Sequence, residues 1–313
     1  MPLRRVRARL RFQHRIERQA IVCDQDAFAD MTEYQLKAYG LSRRQFGSLT
    51  LGAGLVALLP RAADAAEVVD SEVEIKTPDG TCDAYFVHPV KGVHPAVLVW
   101  PDIFGLRPAF RQMGRRLAES GYAVLVVNPF YRQQKAPTAP EHPDFNDPDT
   151  RAALMGLMGA LTQESEFTDA RAFIGWLDSQ AAVDRRRQVG TMGYCLGGPI
   201  TLRTAAAVPA RVGAGASFHG GGLVTDKPDS PHLLIPKMRA HYLIAIAEND
   251  DQKQPEAKDV LRTAFAQAKL PAEIEVYAGT LHGWCPPDSQ VYNPQAAEKA
   301  WARLLVLLKG SLG

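Results

Sequence analysis

Apolar runs alternate with amphipathic stretches along most of this chain. Pro95 to Trp100 (PAVLVW) and Tyr122 to Val127 (YAVLVV) are continuously apolar, as strands buried on both faces require. Glu72 to Thr77 and Cys82 to His88 alternate instead, which predicts two antiparallel strands around the turn Pro78-Asp79-Gly80. Val212 to Phe218, His241 to Ala247 (HYLIAIA) and Glu273 to Tyr277 read as further strands. Helical patterns cover Phe110 to Ser120, Thr162 to Ser179, Pro255 to Ala268 and Pro294 to Leu308. Gln133 to Asp149, rich in Pro, Asp and His, reads as a long surface loop or lid edge. Strands alternating with helices predict an α/β fold: a mostly parallel central sheet of about eight strands with helices on both faces.

Between two of these helical patterns lies Gln188 to Ile200, QVGTMGYCLGGPI. A short apolar run ends in Gly193-Tyr194-Cys195-Leu196-Gly197-Gly198, and a helix pattern from Cys195 to Ala207 follows at once. This is the strand, sharp turn and helix of a nucleophile elbow, with cysteine as the nucleophile. Glycines at 193 and 197 avoid crowding where strand and helix meet. The helix dipole stabilises a thiolate at its N-terminus. A G-x-C-x-G motif alone also fits an inert buried cysteine, so the reading depends on partners elsewhere.

An elbow nucleophile needs a later acid and a still later histidine, both at carboxyl ends of strands. HYLIAIA runs into Glu248-Asn249-Asp250-Asp251, and EIEVY runs into Ala278-Gly279-Thr280-Leu281-His282-Gly283-Trp284. The order Cys195, Asp250, His282 is the nucleophile, acid and base order of α/β-hydrolases. Cys195 would attack an acyl carbon, His282 would hold and return the proton, and Asp250 would orient the imidazole. Asp251 competes with Asp250, which is preferred. Glu248 is expected to be solvated or bonded locally, and His219 either to line the pocket or, preferred, to be a hydrogen-bonded structural histidine. The oxyanion donors would be the backbone N–H of Leu196 and that of Ile103, in the loop after an early strand. Tyr194 and Trp284, beside the nucleophile and the base, are candidate pocket residues. His88, His94, His142, His232 and His241 show no ligand spacing, so neither a metal nor another cofactor is expected.

Composition narrows the setting. The 313 residues are 46% hydrophobic and 22% charged, with a formal net charge of +2. The first 65 residues alone hold 11 Lys+Arg against 6 Asp+Glu, so the remainder is slightly acidic and nucleic acid is an unsupported partner. Met31 opens a segment with Arg43-Arg44-Gln45-Phe46, an apolar run from Leu49 to Leu59 and Ala63-Asp64-Ala65. Basic, apolar and small-residue regions in that order read as an export signal. The paired arginines resemble the twin-arginine type, which implies passage through that export machinery to the periplasm. The expected division is an upstream extension (1–30), a signal (31–65) and one catalytic domain (66–313), acting as a monomer. Cys82, Cys195 and Cys285 then remain in the mature chain. Being odd in number, they leave at least one free thiol, and a Cys82–Cys285 bridge stays open.

Four segments, PDIFGL at 101–106, GYCLGG at 193–198, AEND at 247–250 and LHGW at 281–284, resemble the dienelactone hydrolase (carboxymethylenebutenolidase) family. The resemblance runs from about Glu72 to Leu308. It implies the α/β-hydrolase fold, a Cys-His-Asp triad and a small ester or lactone as substrate. It also implies an acidic residue that meets the resting cysteine, here Asp102 where the family has glutamate, and an arginine for the substrate carboxylate, here Arg132. An export signal departs from what an enzyme of cytoplasmic aromatic degradation needs, so the resemblance implies the reaction class more than the substrate. Thioesterase or acyl-transferase chemistry would use the same triad. A non-catalytic binding homologue would be expected to carry a damaged one.

Overall fold

The structure is a computed structural model that describes residues 65–312 other than 142 and 144. The expected extension and, Ala65 apart, the export signal lie outside the described residues. Strands β1 (Val68–Thr77) and β2 (Gly80–Pro89) form the predicted hairpin, and β3 (Ala96–Trp100), α1 (Pro108–Glu119) and β4 (Ala123–Val127) follow. Helices α2 (Pro148–Gly159) and α3 (Gln163–Ser179) lead to β5 (Val189–Tyr194), α4 (Gly197–Ala207) and β6 (Val212–Phe218). The rest is a 3-10 helix (Pro231–Lys237), β7 (His241–Ala247), α5 (Glu248–Lys253), α6 (Ala257–Gln267), β8 (Ala272–Tyr277) and α7 (Pro294–Ser311).

The eight strands form one sheet in the order β1-β2-β4-β3-β5-β6-β7-β8. β1 and β2 pair antiparallel with their neighbours, and the other six run parallel. Strand alternation divides the core. Leu98 and Trp100 pack with α3, α4 and α6, whereas Val97 and Val99 face α1 and α7. The central strands are buried throughout, which is why they read as unbroken apolar runs.

Two short helices were absent from the sequence reading. α2 begins where a loop or lid edge is expected. Asp147 accepts the Thr150 N–H at 2.7 Å and Pro148 opens the first turn, so a cap and a helix-compatible proline hide inside a Pro/Asp cluster. α5 occupies the acidic segment after β7. The three described cysteines form no disulfide. Cys82 and Cys285 belong to core clusters on opposite faces of the sheet, so the bridge left open above is not made.

Candidate active site

β5 lies at the centre of the sheet, between β3 and β6. Its chain turns into α4 within two residues, and Cys195 takes φ = 51° there, a left-handed conformation that costs a non-glycine residue energy. The turn is fixed by Cys195 N–H donating to Phe218 O (3.1 Å) and Gly198 N–H donating to Cys195 O (3.0 Å). A Cβ at Gly193 would stand 2.1 Å from Gly197 O, and one at Gly197 would stand 2.3 Å from Trp100 O. These are backbone contacts, so the glycines are required by the approach of α4 to β5 and β3. The N–H groups of Leu196 and Ile103 donate to no other group among the described residues.

His282 and Asp250 meet Cys195 from the ends of β8 and β7. His282 Nδ1 and Asp250 Oδ2 are 2.8 Å apart, with both side chains more than nine-tenths buried. Asp251 points elsewhere and pairs with Lys258 at 2.6 Å, so the geometry places Asp250 on the imidazole. Burial alone would lower the His282 pKa. The Asp250 carboxylate and Cys195 outweigh it and hold the ring well above the usual histidine range. Nε2 is buried and short of a hydrogen bond of ordinary geometry. Such bonds commonly tighten only when substrate is bound.

The segment before Asp250 grips the histidine loop three times. Glu248 accepts the Gly279 N–H at 2.8 Å, Asn249 Oδ1 accepts the His282 N–H at 2.9 Å, and Asp250 takes the ring. Glu248 is therefore not bonded locally, as the sequence suggests, but reaches across to the next strand end. Asn249 is a site residue that the sequence reading missed. Its only signal was its place beside the acid.

Several candidates are corrected. Tyr194 faces away from the site, because successive residues at a strand end point to opposite sides of the sheet. It is 2% exposed and stacks on Phe218 with centroids 5.0 Å apart. Trp284 is fully buried and stacked on Tyr277 at 4.8 Å, so it too is core. His219 is not hydrogen-bonded through its ring: both nitrogens are buried without partners among the described residues. It lies edge-on to His282 at 5.1 Å. Burial, then the His282 charge, hold its pKa well below the ordinary value, so it stays a neutral wall beside the base.

Asp102, expected to meet the cysteine, is turned to Arg107. Arg107 donates to both of its oxygens, at 2.6 and 2.9 Å, and the Phe104 N–H donates to Oδ1 at 2.9 Å. The same guanidinium donates to both oxygens of Asp288, at 2.7 and 3.0 Å. One arginine thus ties the Ile103 loop to the loop that carries His282. No motif signals this pairing across 181 positions.

Arg132 occupies a bracing position. It donates to Asp169 at 2.7 and 2.8 Å and to Asp79 at 2.6 and 3.1 Å, and its guanidinium lies 4.7 Å from the centre of the Tyr131 ring. The substrate role implied for it is replaced by an ion-pair network that fixes the β1–β2 turn to α3. Asp169 is almost fully buried, so removing its cation strands a charge. Arg132→Met should lower stability by about 3 kcal/mol in urea unfolding, while kcat/KM of the folded variant stays within about threefold, the range expected when no transition-state contact is lost.

Cys195 is packed on one side by apolar groups. Ile103, Phe130, Phe145, Leu154 and Leu157 pack with it in one cluster. Leu154 and Leu157 come from α2, Phe130 and Phe145 from the segment after β4. Thr138 Oγ1 donates to Phe104 O at 3.2 Å and so pins that segment over the Ile103 loop. Among the described residues no group of His, Cys, Asp and Glu could hold a metal ion.

Comparison with known proteins agrees with this architecture. The Dienelactone hydrolase family model matches residues 82–312. A carboxymethylenebutenolidase of Rhodococcus opacus is 29% identical over 217 residues, covering 68% of this chain and 79% of that protein. Among solved structures, a dienelactone hydrolase-like promiscuous phosphotriesterase from metagenomic libraries superposes with a TM-score of 0.64 at 21% identity, over 79% of this chain and 99% of that one. A dienelactone hydrolase from Anabaena variabilis gives 0.56 at 17% identity, over 79% and 99%. With its matching region spanning most of the sequence and its eight-stranded sheet of the same kind, this chain belongs to the dienelactone hydrolase family of α/β-hydrolases, enzymes of the carboxylic ester hydrolase type.

Proposed function

We propose that this protein cleaves a carboxylic ester or lactone through an acyl-enzyme formed on Cys195. The observation that supports this most is the meeting of a left-handed elbow cysteine with an imidazole already joined to Asp250. Cys195, as thiolate, attacks the carbonyl carbon, and the electron pair moves to the carbonyl oxygen. The N–H groups of Ile103 and Leu196, which donate to no other group among the described residues, would receive that oxyanion. Collapse expels the alkoxide, which takes the proton from His282. Water then attacks the thioester, with His282 accepting its proton, and the acid leaves with Cys195 restored. Asp250 holds the ring orientation and offsets its charge throughout. Asp250 and Cys195, beside the buried ring, favour its protonated form against the effect of burial. The arginine pair and apolar run of residues 43–59 support export, so the reaction would take place in the periplasm.

The acyl-enzyme is the intermediate to trap. The full chain, mixed with p-nitrophenyl butyrate and acid-quenched within the first turnover, should gain one butyryl mass, and peptide mapping should place it on Cys195. Cys82 and Cys285, both buried in the core, should stay unmodified. Ester turnover with no adduct, or an adduct elsewhere, would overturn the mechanism. Added alcohol would report an acyl transferase if it raised ester product above acid.

A further inference from the structure

Resting on the hydrolase reading above, we infer that the acyl pocket accepts uncharged, apolar acyl groups and discriminates against those that carry a carboxylate. Two observations carry this. First, Cys195 packs against the apolar side chains of Ile103, Phe130, Phe145, Leu154 and Leu157. Phe104 extends the wall, edge-on to Phe145 at 6.5 Å. Second, the arginines on the flanking loops are already matched. Arg107 spends its fork on Asp102 and Asp288. Arg132 spends its own on Asp79 and Asp169. A substrate carboxylate in this pocket would lose its hydration and find His282 already matched by Asp250 and Cys195, and it would gain an arginine only by displacing a bidentate protein carboxylate. An alkyl or aryl group would gain by leaving water.

Helix α2 supplies two of the apolar side chains packed with Cys195. Leu154 and Leu157 lie three positions apart, hence on one face, and they are 1% and 8% exposed. They are specificity-determining residues, since they shape the acyl side and do not touch the proton path between His282 and Asp250.

The test compares p-nitrophenyl butyrate with mono-p-nitrophenyl succinate, esters of equal acyl length that differ by a carboxylate, on the full chain. kcat/KM should favour butyrate by at least about 100-fold, the scale of one uncompensated buried charge. Leu157→Arg should shrink that ratio at least about tenfold by supplying a cation. Leu154→Ala should shift the preferred straight-chain acyl length upward, from butyrate toward octanoate. Equal rates on the two wild-type substrates, or a preference for succinate, would overturn the inference while leaving the hydrolase reading intact. No turnover and no adduct on Cys195 with either ester would overturn the hydrolase reading, and the inference with it.

Discussion

Exchanging Cys195 for alanine should cut kcat/KM for p-nitrophenyl butyrate by about 10⁴-fold or more while leaving a folded protein. On the proposed mechanism the sulfur forms the covalent intermediate, so His282 and Asp250 would have nothing to activate once it is gone. Residues acting as one unit lose nearly their whole effect when any one is removed. What survives is the contribution of oxyanion donors and binding alone. The fold should tolerate the change. Cys195 adds one small side chain to an apolar cluster, and alanine keeps the Cβ that the elbow already accommodates at positive φ. Unfolding in urea should therefore shift by no more than about 1 kcal/mol, near the transfer value of one buried methylene. Serine should recover little, because a hydroxyl stays protonated where a thiol ionises. Wild-type rates in the alanine variant would remove Cys195 from the mechanism.

The second large effect is expected from a single methyl group. Gly193→Ala places a carbon 2.1 Å from the carbonyl oxygen and 2.4 Å from the carbonyl carbon of Gly197. Gly197→Ala places one 2.3 Å from Trp100 O and 2.8 Å from Pro101 O. Neither neighbour is a side chain that can rotate away, so α4 must lift from the sheet. Overpacking of this kind costs about 3 kcal/mol. The displacement also moves Cys195 and the Leu196 amide together, and a misplacement of about 1 Å costs about 100-fold in rate. Both alanine variants should therefore lose stability and activity at once. Gly175→Ala provides the contrast. Nothing lies within 4 Å of its added carbon and it sits within α3, so it should stabilise by about 0.5–1 kcal/mol without changing kcat/KM. Comparable behaviour of all three in thermal unfolding would refute the packing argument.

These contrasts bear on what the sequence could disclose. The elbow was legible because sterics leave few residues able to stand where Gly193 and Gly197 stand. Asp250 and His282 were legible because each follows a strand whose apolar run is unmistakable. Asn249 and Glu248 were not, since their bonds to the His282 loop join segments about thirty positions apart. Helix α2 was missed for a local reason. Ala152, Ala153, Gly156 and Gly159 are exposed, so its outer face lacks the polar residues that mark an amphipathic helix, and its cap lies within a Pro/Asp-rich stretch. Tyr194 was misjudged because adjacency in sequence was taken for adjacency in space, while strand geometry sends neighbours to opposite sides of the sheet. Arg132 and Asp102 were read through a resemblance. Here their partners are Arg107 for Asp102, and Asp79 and Asp169 for Arg132, pairings that the quoted motifs do not contain.

The Arg107 fork has a consequence for how such an enzyme can be remodelled. Because it grips Asp102 with one edge and Asp288 with the other, two stretches far apart in the gene form a single inherited part. A loop graft that brings in residues 278–293 from a relative lacking the matching arginine and aspartates would set a lone charge beside a partner that cannot answer it. Covariation among positions 102, 107 and 288 would be the trace of that bond in related sequences. Recombination that respects it can exchange the apolar walls freely, and with them the choice of substrate.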